Sequence, residues 1–303
     1  MFSELPQDIA RTVFELAAEA GDGLSCALVS KQVQSWVEPI IYRSVCLSGY
    51  SVIEPLHRTL TDPNTSKPAE YFAQHVKFLA VLTFAMESKV INILRACTGV
   101  RVLASWGPSF GSDAMREFLS SSLSPSRLSI VAEANLLPQA RRRTDFSLPI
   151  FQSLTHLELL CVSEDEWKHW DCLSSLSNLT HLSLDYATVD LQNNEGTRRA
   201  LALCPTSLRI FVIGISPWAF SNGNESEAQA INNGDVDPRA IMACWEKPGG
   251  NVRMSRYEYA LCCSSQDRMN EWMGKTTGKD FWELAEEIVE RRRKWLQKMR
   301  SDS

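Results

Sequence analysis

Two histidines recur one structural unit apart in near-identical surroundings. "SLTHLELL" (Ser153–Leu160) and "NLTHLSLD" (Asn178–Asp185) share Leu154/Leu179, Thr155/Thr180, His156/His181, Leu157/Leu182 and Leu159/Leu184 at an offset of 25 residues. On adjacent parallel strands, about 4.8 Å apart, His156 and His181 become neighbours, with Glu158 and Ser183 one step along the same face. Two imidazoles and a carboxylate are the residue types of a zinc site or an acid–base pair. The third ligand or nucleophile that either chemistry needs is missing from the register, and repetition position by position already accounts for two histidines in line. A solvated or partner-facing pair is the expectation. The nine cysteines are odd in number and scattered, without CxxC; the nearest approach is Cys262-Cys263. Neither a disulfide framework nor a zinc site has a pattern to stand on, so reduced thiols in a cytosolic or nuclear protein are expected. GxSxG, Walker, HExxH and dinucleotide-binding fingerprints are absent from the sequence, so no catalytic residue, metal or cofactor is expected and the chain reads as a non-enzyme.

The repeated histidines need elements to hold them in register. Their shared template is apolar-x-x-apolar-x-apolar, and it recurs at 20–29 residues with falling clarity: Leu208, Phe211 and Ile213; Leu128 and Val131, with Glu133 third; Val100 and Leu103, with Ser105 third; Val76, Leu79 and Val81. Between these strands, Met86–Cys97 places Val90, Ile93, Leu94 and Cys97 at helical spacing, and "SDAMREFLSSSL" and "NEGTRRALALC" offer further helices. Strand and helix alternating at this period predict an α/β solenoid of leucine-rich type, whose units hide their apolar stripes only by stacking. An ordinary α/β domain is the alternative. In this register the residues between the core positions face the concave side, and the candidate partner-facing set is Phe78, Val102, Ile130, His156, Glu158, His181, Ser183 and Ile210. Apart from the histidine rungs this face is apolar, so it is either covered by the C-terminal segment or contacted by a partner.

Bulk properties narrow the partners. The 303 residues carry a net charge of −5, with 44% hydrophobic and 22% charged residues, a globular composition. The acidic balance argues against nucleic acid as the main partner. No apolar run is long enough to span a bilayer, and the opening residues lack the pattern of a signal peptide, so membrane association is not expected.

The first 46 residues read as a separate unit. Pro6 suits a helix start; Ile9, Val13, Phe14, Leu16 and Ala17 form an apolar face; Gly21 and Gly23 end the helix. A second segment carries Leu24, Ala27, Leu28 and Val29, and a third carries Val33, Trp36, Val37, Ile40, Ile41 and Tyr42. Three short helices have little core of their own and lean on a neighbour. On Leu5-Pro6, Ile9, Val13-Phe14, Leu16, Cys26–Lys31 and Trp36, residues 3–45 resemble an F-box; "WVEPIIYRSV" (36–45) looks like the ending of many fungal F-box-like proteins and departs from the ending commoner elsewhere. The resemblance implies a substrate-recognition adaptor of an SCF-type ubiquitin ligase. Leu5, Pro6, Ile9, Val13, Phe14, Leu28, Val29 and Trp36 would dock on a Skp-family adaptor, and through it a cullin–RING ligase, while the solenoid holds a protein substrate. An F-box scaffold or structural interaction protein without substrate delivery is the alternative.

The expected organisation is therefore a helical unit at 1–46, a solenoid at 47–215, a mobile acidic loop at 216–238 and a cap at 239–303. Within the cap, 239–245 and "RYEYALCC" read as strands. Phe281, Leu284, Ala285, Ile288, Trp295 and Met299 mark the apolar face of a final helix. The basic runs at 141–143 and 291–294 are candidate localisation signals; for the second, a solvated helix C-terminus already favours cations.

Overall fold

The computed structural model describes residues 5–65, 67–68, 70–83, 86–107, 123–131, 146–162, 171–186, 194–215, 225–245, 261–276 and 278–301. The expected helix at 112–123 and the basic run at 141–143 lie outside the described residues, Leu123 excepted.

The chain starts with helices α1 (Gln7–Ala17), α2 (Gly23–Ala27) and α3 (Lys31–Ile41), α1 and α2 being joined by a π-helical turn over Ala18–Asp22. Gly21 lies in the left-handed region at φ 112°, which is where the turn needs a residue without a Cβ. Ser30 caps α3, its hydroxyl accepting the Val33 N–H at 3.2 Å. Ala18, Cys26, Val33 and Val37 make a small inner cluster, against which Phe14, Trp36, Ile40 and Ile41 pack.

Nine strands then form one sheet, parallel throughout and ordered as in the chain: β1 (Ser44–Leu47), β2 (Phe78–Val81), β3 (Val102–Ser105), β4 (Arg127–Val131), β5 (His156–Val162), β6 (His181–Tyr186), β7 (Ile210–Ile215), β8 (Ala240–Cys244) and β9 (Leu261–Cys262). Crossover helices lie between them: α4 (Tyr50–Thr61), α5 (Tyr71–His75), α6 (Glu87–Ala96), α7 (Pro149–Gln152), α8 (Glu195–Leu203) and α9 (Glu225–Asn233). Strands alternating with helices in this order stack in a solenoid-like way. Each rung enters by the same hydrogen bonds: the carbonyl of Arg43 accepts from Lys77 and Phe78 N–H, that of Lys77 from Arg101 and Val102, and so on through Arg101, Ser126, Thr155 and Thr180. The ladder binds each turn to the one before and sets its register.

One face of the sheet is the main core. Val45, Leu79, Leu103, Leu128, Leu157, Leu182, Phe211 and Ala240 stand in register across eight strands. All are buried, and they pack against Ile53, Val90, Ile93, Leu94, Ala200 and Ile231 of the crossover helices.

Four expectations need correction. In β4, pairing sets Leu128 beside Leu103 and Leu157, and Ile130 beside Ser105 and Leu159. Alignment on Leu128 and Val131 was therefore three residues out, and an odd slip in a period-two element exchanges the faces. Ile130 is a core residue, and Ser129 takes the opposite position. Residues 225–233, expected to be loop, form α9, with Ala228 and Ile231 buried, because the β7–β8 crossover must cover the sheet there too. The boundary at 46 falls inside β1, and β8 and β9 continue the same sheet instead of forming a separate cap.

The last element is α11 (Phe281–Ser301), preceded by α10 (Ser265–Trp272). α11 buries Phe281, Trp282, Ala285, Val289 and Arg292, leaving Leu284, Trp295 and Met299 exposed. The helix meets the sheet along an arc rotated from the stripe that spacing alone predicts. Arg292 is held there by donating to the Ala240 carbonyl at 2.8 Å.

Leu182, central in the register and fully buried, should cost about 2–5 kcal/mol as Leu182→Ala. Urea denaturation, followed by far-UV circular dichroism, measures it.

Candidate functional site

The second face of the sheet carries the histidine pair. Two rows cross it. The first runs Ser44, Phe78, Val102, Arg127, His156, His181, Ile210; the second runs Cys46, Ala80, Ala104, Ser129, Glu158, Ser183, Val212, Ile241. Both rows are apolar or small at their ends and polar in the middle. Alanine and serine in the second row leave room above the sheet, and α10 and α11 fill it.

α10 covers the β2–β3 end. Trp272 and the following Met273 pack with Ala80, Val102 and Ala104, and Phe78 borders them. The Ser44 hydroxyl donates to the Met273 carbonyl. Gly274, at φ 65°, brings the chain so close to Phe78 that a Cβ would lie 2.4 Å from its ring. α11 covers the β7–β8 end, setting Phe281, Trp282, Ala285 and Val289 on Ile210, Val212, Ile241 and Ala243.

Between these apolar anchors, every charged group on the sheet meets a counter-charge from above. Arg127 Nη1 lies 2.7 Å from Asp280 Oδ2. Arg268 Nη2 lies 2.5 Å from Glu158 Oε1, and its Nη1 lies 3.5 Å from Asp185 Oδ2. Glu158 also accepts from the Ser129 hydroxyl, which receives the Trp106 indole N–H at 2.7 Å. The Arg268 guanidinium stacks 4.1 Å from the centroid of the Trp245 ring and 5.7 Å from that of Trp106. Burial raises the Asp185 carboxyl to about 6 against the pull of Arg268, and raises Glu271 to about 8 even though Glu271 Oε2 accepts the Phe281 N–H.

The imidazoles stack face to face at 4.1 Å with 6° between their planes, and Trp282 meets both edge-on. The threonine repeated before each histidine explains their common pose. Thr155 and Thr180 hydroxyls reach the carbonyls of the preceding rung and stand within hydrogen-bond distance, 2.8 Å, of His156 and His181 Nδ1. Nε2 of His181 lies 3.2 Å from Glu286 Oε1. Burial drives both rings towards the neutral form; His156 falls to about 2, with its histidine neighbour and Arg127 adding to the effect, while His181 is also lowered despite Glu286. Neutral, stacked and held by Nδ1, the pair is a packing element. Among the described residues no group of three or more His, Cys, Asp or Glu side chains could hold a metal ion, and the eight described cysteines are free thiols.

The partner-facing set is therefore brought together on one face, Ile130 excepted, but lies beneath α10 and α11. Glu158 is 1% exposed and Ser183 0%; Val102, His181 and Ile210 are buried, and Phe78 and His156 half-buried. Of the two alternatives for this face, cover by the C-terminal segment is the one found: α10 and α11 supply the second cover that a parallel sheet requires, and the histidine pair, expected to be solvated or partner-facing, lies beneath them. Arg268, Asp185, Arg127, Trp106, Trp245 and Trp282 escaped the sequence reading. Asp185 was within reach, since it lies two residues beyond Ser183 and so on the same face; a buried Glu158 also demanded a cation from elsewhere.

A second surface lies on the N-terminal helices. Ile9, Val13 and Leu16 line α1 at helical spacing and are exposed, as are Leu5, Pro6, Leu24 and Val29; Leu28 is 88% exposed. Phe14 and Trp36, expected on this surface, are half-buried with ring centroids 6.5 Å apart in the inner cluster, which has too few other large side chains to close without them.

No family model matches this chain, and no curated protein matches it either. No helix among the described residues is long and apolar enough to cross a membrane.

Because His156 stays neutral in the fold but has an ordinary pKa near 6.5 when unfolded, acidification below 6.5 favours the unfolded chain by up to about 1.4 kcal/mol per pH unit for this group. Asp185 and Glu271, whose pKa values are raised, act in the opposite sense, so the readout is a difference. His156→Phe, which keeps the ring stack, should gain stability relative to the parent chain as pH falls from 6.5 to 4.5. Urea midpoints at three pH values give the slope; a pH-independent difference would refute the buried neutral assignment.

Proposed function

We propose that the chain is a non-enzymatic substrate-recognition adaptor of an SCF-type ubiquitin ligase, working in the cytoplasm or nucleus. Its N-terminal helices are an F-box that docks on a Skp-family adaptor and through it on a cullin–RING ligase, and its leucine-rich-type solenoid engages a protein substrate. The observation that carries this reading is the apolar surface of α1 and α2. Leu5, Ile9, Val13, Leu16, Leu24, Leu28 and Val29 are all exposed within the first thirty residues, on a unit whose own core is complete without them. A concentration of large apolar side chains on so small a unit is the mark of an interaction surface. Helix-on-helix docking of ordinary size, about 1,200–2,000 Å2, suits it. Leu5, Pro6, Ile9, Val13, Leu28 and Val29 are the proposed contacts; Phe14 and Trp36 act by shaping the helices.

The alternative, an F-box scaffold or structural interaction protein that delivers no substrate, draws on a different observation: α10 and α11 cover the face proposed to receive one. Under either reading the adaptor is bound through the same helices.

Ile9→Asp/Leu28→Asp tests the docking. Both side chains are exposed, so the thermal transition should stay within about 0.5 kcal/mol of the parent chain. Affinity for a purified Skp-family adaptor, measured by calorimetry, should fall about 100-fold or more. Undiminished binding would overturn the assignment. Accumulation of a bound protein on proteasome inhibition then separates substrate receptor from scaffold.

A further inference from the structure

We propose that the covered sheet face contains an arginine receptor, formed by Glu158 and Asp185 between the indoles of Trp106 and Trp245, and that Arg268 fills it in cis in place of an arginine from a helical segment of a protein partner. The proposal rests on reading this face as a partner surface, and it names what that surface recognises.

The receptor is set up by the sheet and not by its occupant. Glu158 is on β5 and Asp185 on β6; Trp106 and Trp245 directly follow β3 and β8. Trp106 is tied through Ser129 to Glu158. Trp245 is seated by Gly214: a Cβ on that residue would lie 2.2 Å from the indole, so glycine is what lets the ring lie over β7. Two carboxylates held near one another on a buried face repel until a cation joins them. The flat, forked guanidinium suits the space, because it bridges two carboxylates while stacking on an aromatic ring; an ammonium is a point charge and does neither as well.

The present occupant fits incompletely. Arg268 is 13% exposed at its side chain, and its Nε is buried with no hydrogen-bond partner. It is carried on α10, which joins the sheet through the two-residue strand β9. Four residues on, and so on the same side of the helix, Trp272 rests on Ala80 and Ala104, whose small side chains make its seat. α10 thus displays a two-point pattern, arginine and then an aromatic one turn later, in a pair of pockets built by other strands. A partner helix with the same pattern would compete for both, as amphipathic helices do in grooves. The tethered copy has the advantage of high local concentration and holds the face closed until such a partner arrives.

The test uses the full chain with the pockets vacated, as Arg268→Ala and as Arg268→Ala/Trp272→Ala, and a fluorescein-labelled peptide copying residues 264–275. Fluorescence anisotropy should show the double variant binding the peptide about 10-fold or more tighter than the parent chain. A peptide with lysine in place of its arginine should bind about 10-fold weaker. Adding Glu158→Gln to the double variant should abolish the preference for arginine. Equal binding of arginine and lysine peptides, or no binding by a variant that keeps its thermal transition, overturns the proposal. So does failure of both variants to fold with excess peptide present, since a receptor for a partner must stand without its cis occupant. Skp-family adaptor binding is measured on the same preparations. Lost peptide binding with adaptor binding retained removes the arginine receptor alone; the converse removes the adaptor reading alone.

Discussion

A parallel sheet has two faces to hide, and crossover helices arranged on one side can hide only one of them. The rest of this protein follows from that asymmetry. From β1 to β9 the chain steps in one direction, each strand paired to its predecessor, with α4, α6, α8 and α9 packing on the same core. Among the described residues, the crossover helices pack on that one core, and only side chains next to the strands, such as Trp106 and Trp245, lie on the other face. Its cover comes from the last forty residues, which fold back across strands distant in the chain.

That return is specified in two chemical languages. Trp272 with Met273 at one end, and Phe281 with Trp282 at the other, supply burial and its non-directional gain. Apolar contacts alone would tolerate sliding. The polar strip between them does not: Arg127 with Asp280, and Arg268 with Glu158 and Asp185, admit one placement of α10 and α11. Buried ion pairs seldom add much net stability, because desolvation offsets the attraction, but breaking one strands a charge. Their contribution here is to alignment. The stacked histidines make the same point without charge, since Trp282 can meet both rings only when α11 lies across β5 and β6.

The two ends of the chain treat apolar surface in opposite ways. At the C-terminus exposed sheet is covered from within. At the N-terminus, three short helices close a core of four buried residues with Phe14 and Trp36 leaning in, and leave Leu28 and its neighbours in solvent. A chain able to fold its own helices over one large surface leaves the smaller one bare, which is why the latter is read as a docking face.

Much of this was legible without coordinates. The Leu-Thr-His-Leu-x-Leu repeat carries its own register, since five matched residues pin two strands to each other, and Val90, Ile93, Leu94 and Cys97 declare α6 by spacing. Legibility failed where local pattern is ambiguous. "RLSIV" offers two apolar frames of opposite face, and only pairing with β3 and β5 chooses Leu128 and Ile130. The polar, Asn-rich run before β8 hides α9, whose helicity comes from burying Ala228 and Ile231 and not from propensity. Periodicities of two and of 3.6 residues are properties of neighbouring residues, so strands, helices and their stacking order could be read from the chain. The partner of Glu158 lies 110 residues away in Arg268, and that of His181 lies in Glu286. No local spacing encodes such a pairing; it exists only once the last helices have crossed the sheet.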